Sequence, residues 1–158
     1  MSRDLQRKGA PRADVGRRSL LRLLVEGSRE LEGRLYEGLR AAGYGDVRPA
    51  HYAVFRYLED DGSRVTELAE VAGMTKQSMG ELVAYLEERG YIERRPDPRD
   101  GRAKIVVLTE KGQRGIEAAA ERIAEIEAEL ARWMGRERLE GLIGSLADLT
   151  AVLDRRRT

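Results

Sequence analysis

One segment departs from the otherwise helical hydrophobic pattern of this chain, and it limits the folds that the chain can adopt. The segments "YIERR" and "KIVVL" are strand-length runs of β-prone residues, and Asp100-Gly101 between them is a strong reverse-turn signal. Because the connection is longer than a minimal hairpin, we expect a protruding loop. A single β-ribbon within a helical chain predicts a mainly α (α+β) fold.

Two short helices are predicted before this ribbon. The first, in "SRVTELAEVAGM", has Thr66 as its expected N-cap and ends at Gly73. The second follows almost at once, with Thr75 as its N-cap and Gly90 as its end. Short helices joined by a tight turn containing glycine are typical of a helix-turn-helix.

The second of these helices has an apolar face and a polar face. Apolar residues at 79, 82, 83 and 86 share the face that anchors it to the domain. The opposite face begins with Lys76, Gln77 and Ser78 and continues to Glu81. Glutamine can pair with adenine in the DNA major groove, and a carboxylate can accept from cytosine N4. Taken alone, this face is more typical of an ordinary solvated helix.

The loop of the ribbon concentrates positive charge. The segment "RRPDPRDGRAK", residues 94–104, contains five cations and two of the four prolines of the chain. Pro96 and Pro98 stiffen the backbone, and Asp97 and Asp100 are each expected to hold a neighbouring arginine. A guanidinium held extended loses less entropy on entering a narrow minor groove. A helix-turn-helix followed by a braced basic hairpin predicts a winged helix-turn-helix.

Amphipathic helices are predicted at both ends of the chain. Leucines at 20, 24, 31, 35 and 39 form a helical stripe, and leucines at 139, 142, 146, 149 and 153 alternate in steps of three and four. A compact domain has too few internal partners for all of these stripes, which favours dimerisation. An internal helical bundle is the alternative.

Composition excludes several classes of function. The formal net charge is only +1, so attraction to phosphate depends on where the charges lie. The chain has no cysteine, which excludes disulfides and thiolate metal ligands and suits a cytoplasmic location. No apolar run approaches the roughly 18 residues of a membrane helix. With one histidine and no nucleophile–base pair, we expect no metal, no cofactor and no enzyme.

Residues 65–112 resemble the multiple-antibiotic-resistance regulator (MarR) family. The resemblance rests on the "ELA" helix, the helix that ends in "LEERGYIER", the "DPRDGR" wing and the "LTEKG" that begins the next helix. It implies a cytoplasmic homodimer that binds a pseudo-palindromic DNA operator, most often as a repressor, and releases it when a small aromatic or phenolic ligand binds. The lack of cysteine separates this chain from the peroxide-sensing members of the family.

The resemblance implies particular site residues. The helix over 75–89 would enter the major groove and the wing would reach the minor groove, with Asp100 bracing Arg102. The DNA-contacting set is Thr75, Lys76, Gln77, Ser78, Arg95, Arg99, Asp100, Arg102 and Lys104. The effector would lie between the dimer helices and the winged domain, near Arg34, Tyr36, His51, Tyr52 and Phe55. A purely structural hydrogen bond for His51, with the tyrosines packed in the core, is the alternative.

The expected organisation has four parts: a flexible basic arm over 1–16, an N-terminal dimerisation helix over 17–45, the winged helix-turn-helix over 46–108 and C-terminal dimerisation helices over 109–158. Two other functions stay open at this point. One is a protein-interaction module that uses the winged fold as its binding surface. The other is a ligand-binding dimer that does not bind DNA specifically.

Overall fold

A computed structural model describes residues 19–155, and the arm expected over 1–16 lies outside them. The described part is mainly helical, with one two-stranded antiparallel sheet. In chain order the elements are α1 (Leu20–Leu39), α2 (Tyr52–Tyr57), α3 (Val65–Val71), α4 (Lys76–Glu88), β1 (Ile92–Asp97), β2 (Asp100–Leu108), α5 (Glu110–Met134) and α6 (Arg136–Asp154). The predicted fold class is confirmed.

The connection between α1 and α2 is shaped by a glycine and a proline. α1 continues as a π-helical turn, Arg40–Tyr44, in which Gly43 has a φ of 94° that favours glycine. Pro49 then begins a single 3₁₀ turn, Pro49–His51, that leads into α2. The sequence predicts that α2 continues to Gly62, but the helix is shorter than this. It ends at Tyr57 because Ser63 captures the Glu59 N–H through its hydroxyl, at 3.1 Å, and turns the chain toward the sheet.

The two helices of the predicted helix-turn-helix are present as α3 and α4. The expected N-cap of α3, Thr66, is wrong: the helix begins two residues earlier than that cap implies, at Val65, and Arg64 is the N-cap residue. The Glu67 carboxylate reaches back to accept the Arg64 N–H at 2.7 Å, which satisfies a free donor at the helix start. The N-cap of α4 is Thr75, as predicted, and its hydroxyl accepts the Ser78 N–H at 3.1 Å.

The ribbon differs from the expected protruding loop. Both strands extend into the basic segment, so Asp97 and Asp100 are joined by a turn of only two residues, Pro98 and Arg99, beside an irregularity in the register at Pro96. The Asp97 carboxylate closes the turn by accepting the Arg99 N–H at 2.8 Å. On the other side of β2, Ser63 forms an isolated antiparallel bridge with Val106. The wing is therefore a hairpin with a short turn that a side-chain hydrogen bond closes.

The core lies between the helix-turn-helix and the ribbon. Val54 of α2, Met79 and Val83 of α4, and Val106 of β2 are fully buried within it. Fully burying one aliphatic side chain of this kind stabilises a fold by about 1.5–3 kcal/mol. This packing fixes one face of α4 and leaves its polar face outward.

The terminal helices keep apolar surface that the single chain does not cover. α1 packs against α5, and α5 packs against α6. Large apolar side chains nevertheless remain exposed at the N-terminal half of α1, at the end of α5 and along α6. They are Leu20, Leu21, Leu23, Val25, Trp133, Leu142, Ile143, Val152 and Leu153.

Gly112 is where α5 passes against the start of β1. A Cβ atom at this position would lie 2.0 Å from the Tyr91 carbonyl oxygen, and backbone cannot yield as a flexible side chain can. We expect Gly112→Ala to lower the free energy of unfolding by about 1–3 kcal/mol, the usual cost of overpacking. Gly141→Ala on α6 is the control, since nothing lies within 4 Å of its added Cβ. Urea denaturation measures both, and equal stabilities for the two variants would contradict this packing.

Candidate functional site

The start of α4 presents a short polar surface. Lys76, Gln77 and Ser78 are exposed there, as predicted. The Thr75 hydroxyl donates to the Ser78 hydroxyl at 2.9 Å, and the Gln77 amide donates to the Glu81 carboxylate at 3.2 Å. The Ser78 hydroxyl and the Gln77 amide, two of the groups expected to read bases, are thus held by hydrogen bonds within the exposed start of the helix.

The cations of the ribbon fall into two groups. Arg94 pairs with Glu87 and ties the base of the ribbon to α4, so it is not part of the outward surface. Arg95, Arg99, Arg102 and Lys104 are all exposed. Within residues 19–155, the side chains of Arg102 and Lys104 have no ion pair or hydrogen bond to a protein group. Arg95 pairs with Glu93 and Arg99 with Asp97, so Arg102 and Lys104 are the members of the outward group whose side chains are available to an anionic partner.

The wing turn is organised around the buried carboxylate of Asp97. Besides the Arg99 N–H, it accepts the Arg99 Nε–H at 3.4 Å and the Arg64 Nε–H at 2.6 Å. The Arg99 N–H, followed by Arg64, holds the pKa of Asp97 below its usual range, so the carboxylate stays ionised at neutral pH. Sequence reasoning missed Arg64, because it lies 33 positions earlier in the chain.

The expected contact between Asp100 and Arg102 takes a different form. The Asp100 carboxylate accepts the backbone N–H of Arg102 at 3.1 Å, and its other oxygen lies 3.7 Å from Arg64 Nη2. No described contact joins Asp100 to the Arg102 guanidinium. Asp100 therefore shapes the backbone at the wing tip and leaves the Arg102 side chain extended toward solvent.

A cavity of about 330 Å³ lies between the terminal helices and the winged domain. α1, α2 and α5 supply most of its wall, together with the segments that precede α2 and β1. The lining residues are Leu35, Leu39, Tyr44, Val47, Tyr52, Phe55, Arg56, Tyr91, Gly112, Gly115, Ile116, Ala119, Ala120 and Ile123. The wall is almost wholly apolar, and Arg56 is the single charged residue among the described residues that line it.

The structure brings two of the five expected ligand residues into the cavity wall, Tyr52 and Phe55. Arg34 instead pairs with Glu30 and Glu129 and lies 5.1 Å from the Trp133 ring centre. The Tyr36 hydroxyl donates to the Gly45 carbonyl at 3.2 Å.

His51 is the third expected ligand residue that lies outside the cavity wall, and it contacts other protein groups instead. Its Nδ1 accepts the Arg48 N–H at 3.0 Å, and its ring stacks on Tyr85 with 4.2 Å between ring centres. Burial, followed by the nearby Arg89 and Arg48 charges, lowers the pKa of His51. The contacts match the alternative of a structural hydrogen bond.

Several known proteins match part of this chain. A sequence model of the MarR family matches residues 46–103. The transcriptional regulator HosA of Escherichia coli O111:H- is 37% identical over 75 residues, which span 47% of this chain and 56% of HosA. YxaD of Bacillus subtilis strain 168, an HTH-type transcriptional regulator, is 30% identical over 96 residues, 60% of this chain and 67% of YxaD. The chain belongs to the MarR family.

The fold agrees with this membership beyond the winged domain. The solved structure of the transcriptional regulator Tm0710 from Thermotoga maritima covers 86% of this chain and 94% of its own, with 29% identity and a TM-score of 0.59. MarR proteins are transcriptional regulators and not enzymes. In residues 19–155, no helix is long and apolar enough to cross a membrane, and no group of three histidines, aspartates or glutamates could hold a metal ion.

Tyr52 carries a hydroxyl that is buried without a hydrogen-bond partner among the described residues. Burial raises the pKa of this phenol to about 12, so it stays neutral. A buried unpaired donor costs about 1–3 kcal/mol. We therefore expect Tyr52→Phe to raise the free energy of unfolding by about 1 kcal/mol, measured by urea denaturation. A decrease of similar size in the free energy of unfolding would mean that the hydroxyl has a hydrogen-bond partner in the assembled protein.

Proposed function

We propose that this MarR-family chain is a DNA-binding transcriptional regulator, working as a repressor on a pseudo-palindromic operator. The observation that carries the proposal is that two exposed surfaces belong to one packed domain, in which Arg94 ties the ribbon to Glu87 of α4. The start of α4 presents Lys76, Gln77 and Ser78, and the ribbon presents Arg99 and Arg102. Thr75, Arg95, Asp100 and Lys104 complete the proposed DNA contacts.

The two surfaces suit different parts of a DNA duplex. An α-helix fits the major groove, where amide and hydroxyl side chains distinguish base pairs. Arginine is favoured in a narrow minor groove because the negative potential is strongest there. The short turn places Arg99 at the ribbon tip, and Asp97 holds its backbone in place. This arrangement supports α4 reading bases while the ribbon grips the neighbouring groove.

We also propose that the protein is a homodimer through its terminal helices. The exposed apolar side chains of α1 and α6 lie outside the winged domain, and Leu20, Leu142 and Leu153 among them belong to the stripes seen in the sequence. Apolar faces of this extent mark interaction sites on soluble proteins. A two-fold dimer would present two copies of α4 to one duplex, and the operator would mirror that symmetry.

A gel shift against the DNA upstream of its own gene, at moderate salt, tests this function. A sharp band that survives an excess of unrelated duplex supports specific DNA binding. A protein-interaction module, or a ligand-binding dimer without DNA function, would give only weak binding that the competitor removes. That second result would overturn the proposal.

The cavity is the proposed site of a small effector that releases the DNA. Tyr52 and Phe55 contribute to its wall, while Arg34, Tyr36 and His51 make the protein contacts described above. Arg56 is the single cation among the described residues of the wall, and it is exposed, so a carboxylate buried in the cavity would have the neutral Tyr52 hydroxyl as a donor but no buried charge to pair with. Because burying an unpaired charge is very unfavourable, we propose an uncharged aromatic effector such as a phenol.

Two matched probes test this choice of ligand. We expect 2-naphthol to bind at least about ten-fold more tightly than 2-naphthoate, since a carboxylate would lose its hydration in the cavity. Isothermal titration calorimetry measures both affinities without DNA. His51→Ala should leave the naphthol affinity unchanged, because His51 does not line the cavity. Equal or tighter binding of the naphthoate, or no binding of the naphthol, would contradict the proposed ligand class.

A further inference from the structure

Asp46 lies between the cavity and α4 and contacts both. It belongs to the segment that joins the π-helical turn after α1 to Pro49. Its carboxylate accepts the Tyr91 hydroxyl at 2.5 Å, and its backbone carbonyl accepts the Tyr85 hydroxyl at 2.9 Å. Tyr85 is part of α4, whereas Tyr91 lines the cavity. One residue thus joins the cavity wall to the helix proposed to read DNA.

Lys111 of α5 reinforces this connection. Its ammonium lies 3.9 Å from the second carboxylate oxygen of Asp46 and 4.0 Å from the Tyr91 ring centre. It also donates to the carbonyl of Arg89, the C-cap residue of α4, at 2.9 Å. The end of α4 is consequently held through both Asp46 and α5, in a network of part-buried polar contacts whose members strengthen one another.

Tyr85 has little freedom to move independently of α4. Its ring stacks on His51, and the Arg89 guanidinium carbon lies 3.4 Å from the ring centre. Together with the hydrogen bond to Asp46, these contacts restrain the ring on several sides. A displacement of the Asp46 segment is therefore expected to shift α4 itself and not merely one rotamer.

The cavity reaches Tyr91 beside Gly115. A Cβ atom built on Gly115 would lie 3.5 Å from the Tyr44 ring and 3.7 Å from the Tyr91 ring, which is ordinary van der Waals contact. Tyr91 is only 1% exposed, and Phe55 packs edge-on against it. A side chain larger than alanine at Gly115 would meet the Tyr44 and Tyr91 rings on this side of the cavity, and we expect it to press against them.

We propose that Asp46 is a positioning residue for α4, and that a group filling the cavity beside Gly115 shifts α4 through the Tyr91–Asp46–Tyr85 hydrogen bonds. This inference rests on the proposed function, in which α4 reads DNA. It explains how an apolar effector without access to α4 alters DNA affinity. The hydroxyl of Tyr91 is the link that can be removed without emptying the cavity wall.

A double-mutant cycle tests the link without a ligand. Gly115→Leu serves as a built-in wedge, and the dissociation constant for a DNA fragment that the wild-type protein binds specifically is the readout. In the wild-type background we expect the wedge to weaken binding about five-fold or more, the lower range of allosteric couplings. In the Tyr91→Phe background the wedge should have little effect on the dissociation constant, because the ring is no longer hydrogen-bonded to the Asp46 carboxylate.

Two further variants make the cycle specific. Tyr44→Phe removes a hydroxyl from the same wall, but one that has no hydrogen bond within residues 19–155, so the wedge effect should match wild type. Gly115→Ala adds only a methyl in ordinary contact and should weaken binding less than leucine. If Gly115→Leu does not fold by circular dichroism, Gly115→Val replaces it.

The outcomes separate this inference from the proposed function. If the wedge weakens binding equally with and without the Tyr91 hydroxyl, or has no effect in either background, the role of Asp46 is wrong although DNA binding stands. If the wild-type protein binds no DNA specifically, the proposed function fails and this inference fails with it. A merely structural role for Tyr91 would change stability in both backgrounds but not the size of the wedge effect.

Discussion

Replacing both wing arginines, Arg99→Ala with Arg102→Ala, is expected to weaken specific DNA binding roughly a hundred-fold, because each such contact contributes about 1–3 kcal/mol. Both side chains are exposed, and the structural contact of Arg99 with Asp97 through its backbone N–H survives in alanine. The wing should therefore keep its shape. Fluorescence anisotropy with a labelled operator measures the loss.

The salt dependence of binding gives an independent readout of the same change. Each phosphate contact contributes about −0.9 to the slope of log affinity against log salt concentration, so the variant should show a shallower slope. The control is Arg136→Ala with Arg138→Ala, which removes two exposed arginines from the start of α6. Unchanged affinity and slope in the wing variant would remove the wing from the interface.

Asp97→Ala is expected to reduce DNA affinity at least as much as the double arginine variant. The carboxylate is buried, and its loss would leave the Arg99 N–H and the Arg64 guanidinium without their common acceptor. Part-buried donors that lose their acceptor are unfavourable, so the turn should lose its fixed geometry, and the wing cations should lose their fixed positions. Anisotropy measures affinity, and hydrogen exchange at Gly101 and Arg102 measures the order of the wing.

Asp97→Asn separates the charge of Asp97 from its hydrogen bond to the turn. The asparagine oxygen still accepts the Arg99 N–H, but it no longer attracts Arg64, so an intermediate loss of affinity is expected. Wild-type affinity in Asp97→Ala, with the hydrogen exchange of the wing unchanged, would contradict the view that this carboxylate organises the wing.

The sequence predicts the winged domain well because its signals are local. The change from helical to strand periodicity, the Thr75 cap and the glycine at the end of α4 each act within a few residues of their own position. Thr66 failed as a cap because Glu67 favours an earlier start through Arg64. The early end of α2 depends on Ser63 meeting Val106, which is a pairing across 43 positions that no local pattern encodes.

The cavity was harder to predict because neighbouring helical residues point in directions about 100° apart. Tyr52 lines the cavity, and its neighbour His51 stacks on α4 instead. Likewise Leu35 lines the cavity while Arg34 contacts Glu129 of α5. Choosing among adjacent positions requires knowing how α1, α2 and α5 are rotated, and that rotation is set by tertiary packing.

The most direct measurement is the number of protein chains bound to one copy of the duplex that the protein prefers. That duplex is selected from genomic fragments, and sedimentation equilibrium at moderate salt gives the mass of the complex. Two chains per duplex are expected, together with binding at least about a thousand-fold tighter than to a shuffled duplex of the same composition. One chain per duplex, or equal affinity for both sequences, would contradict a symmetric dimer that reads DNA with paired α4 helices and wings.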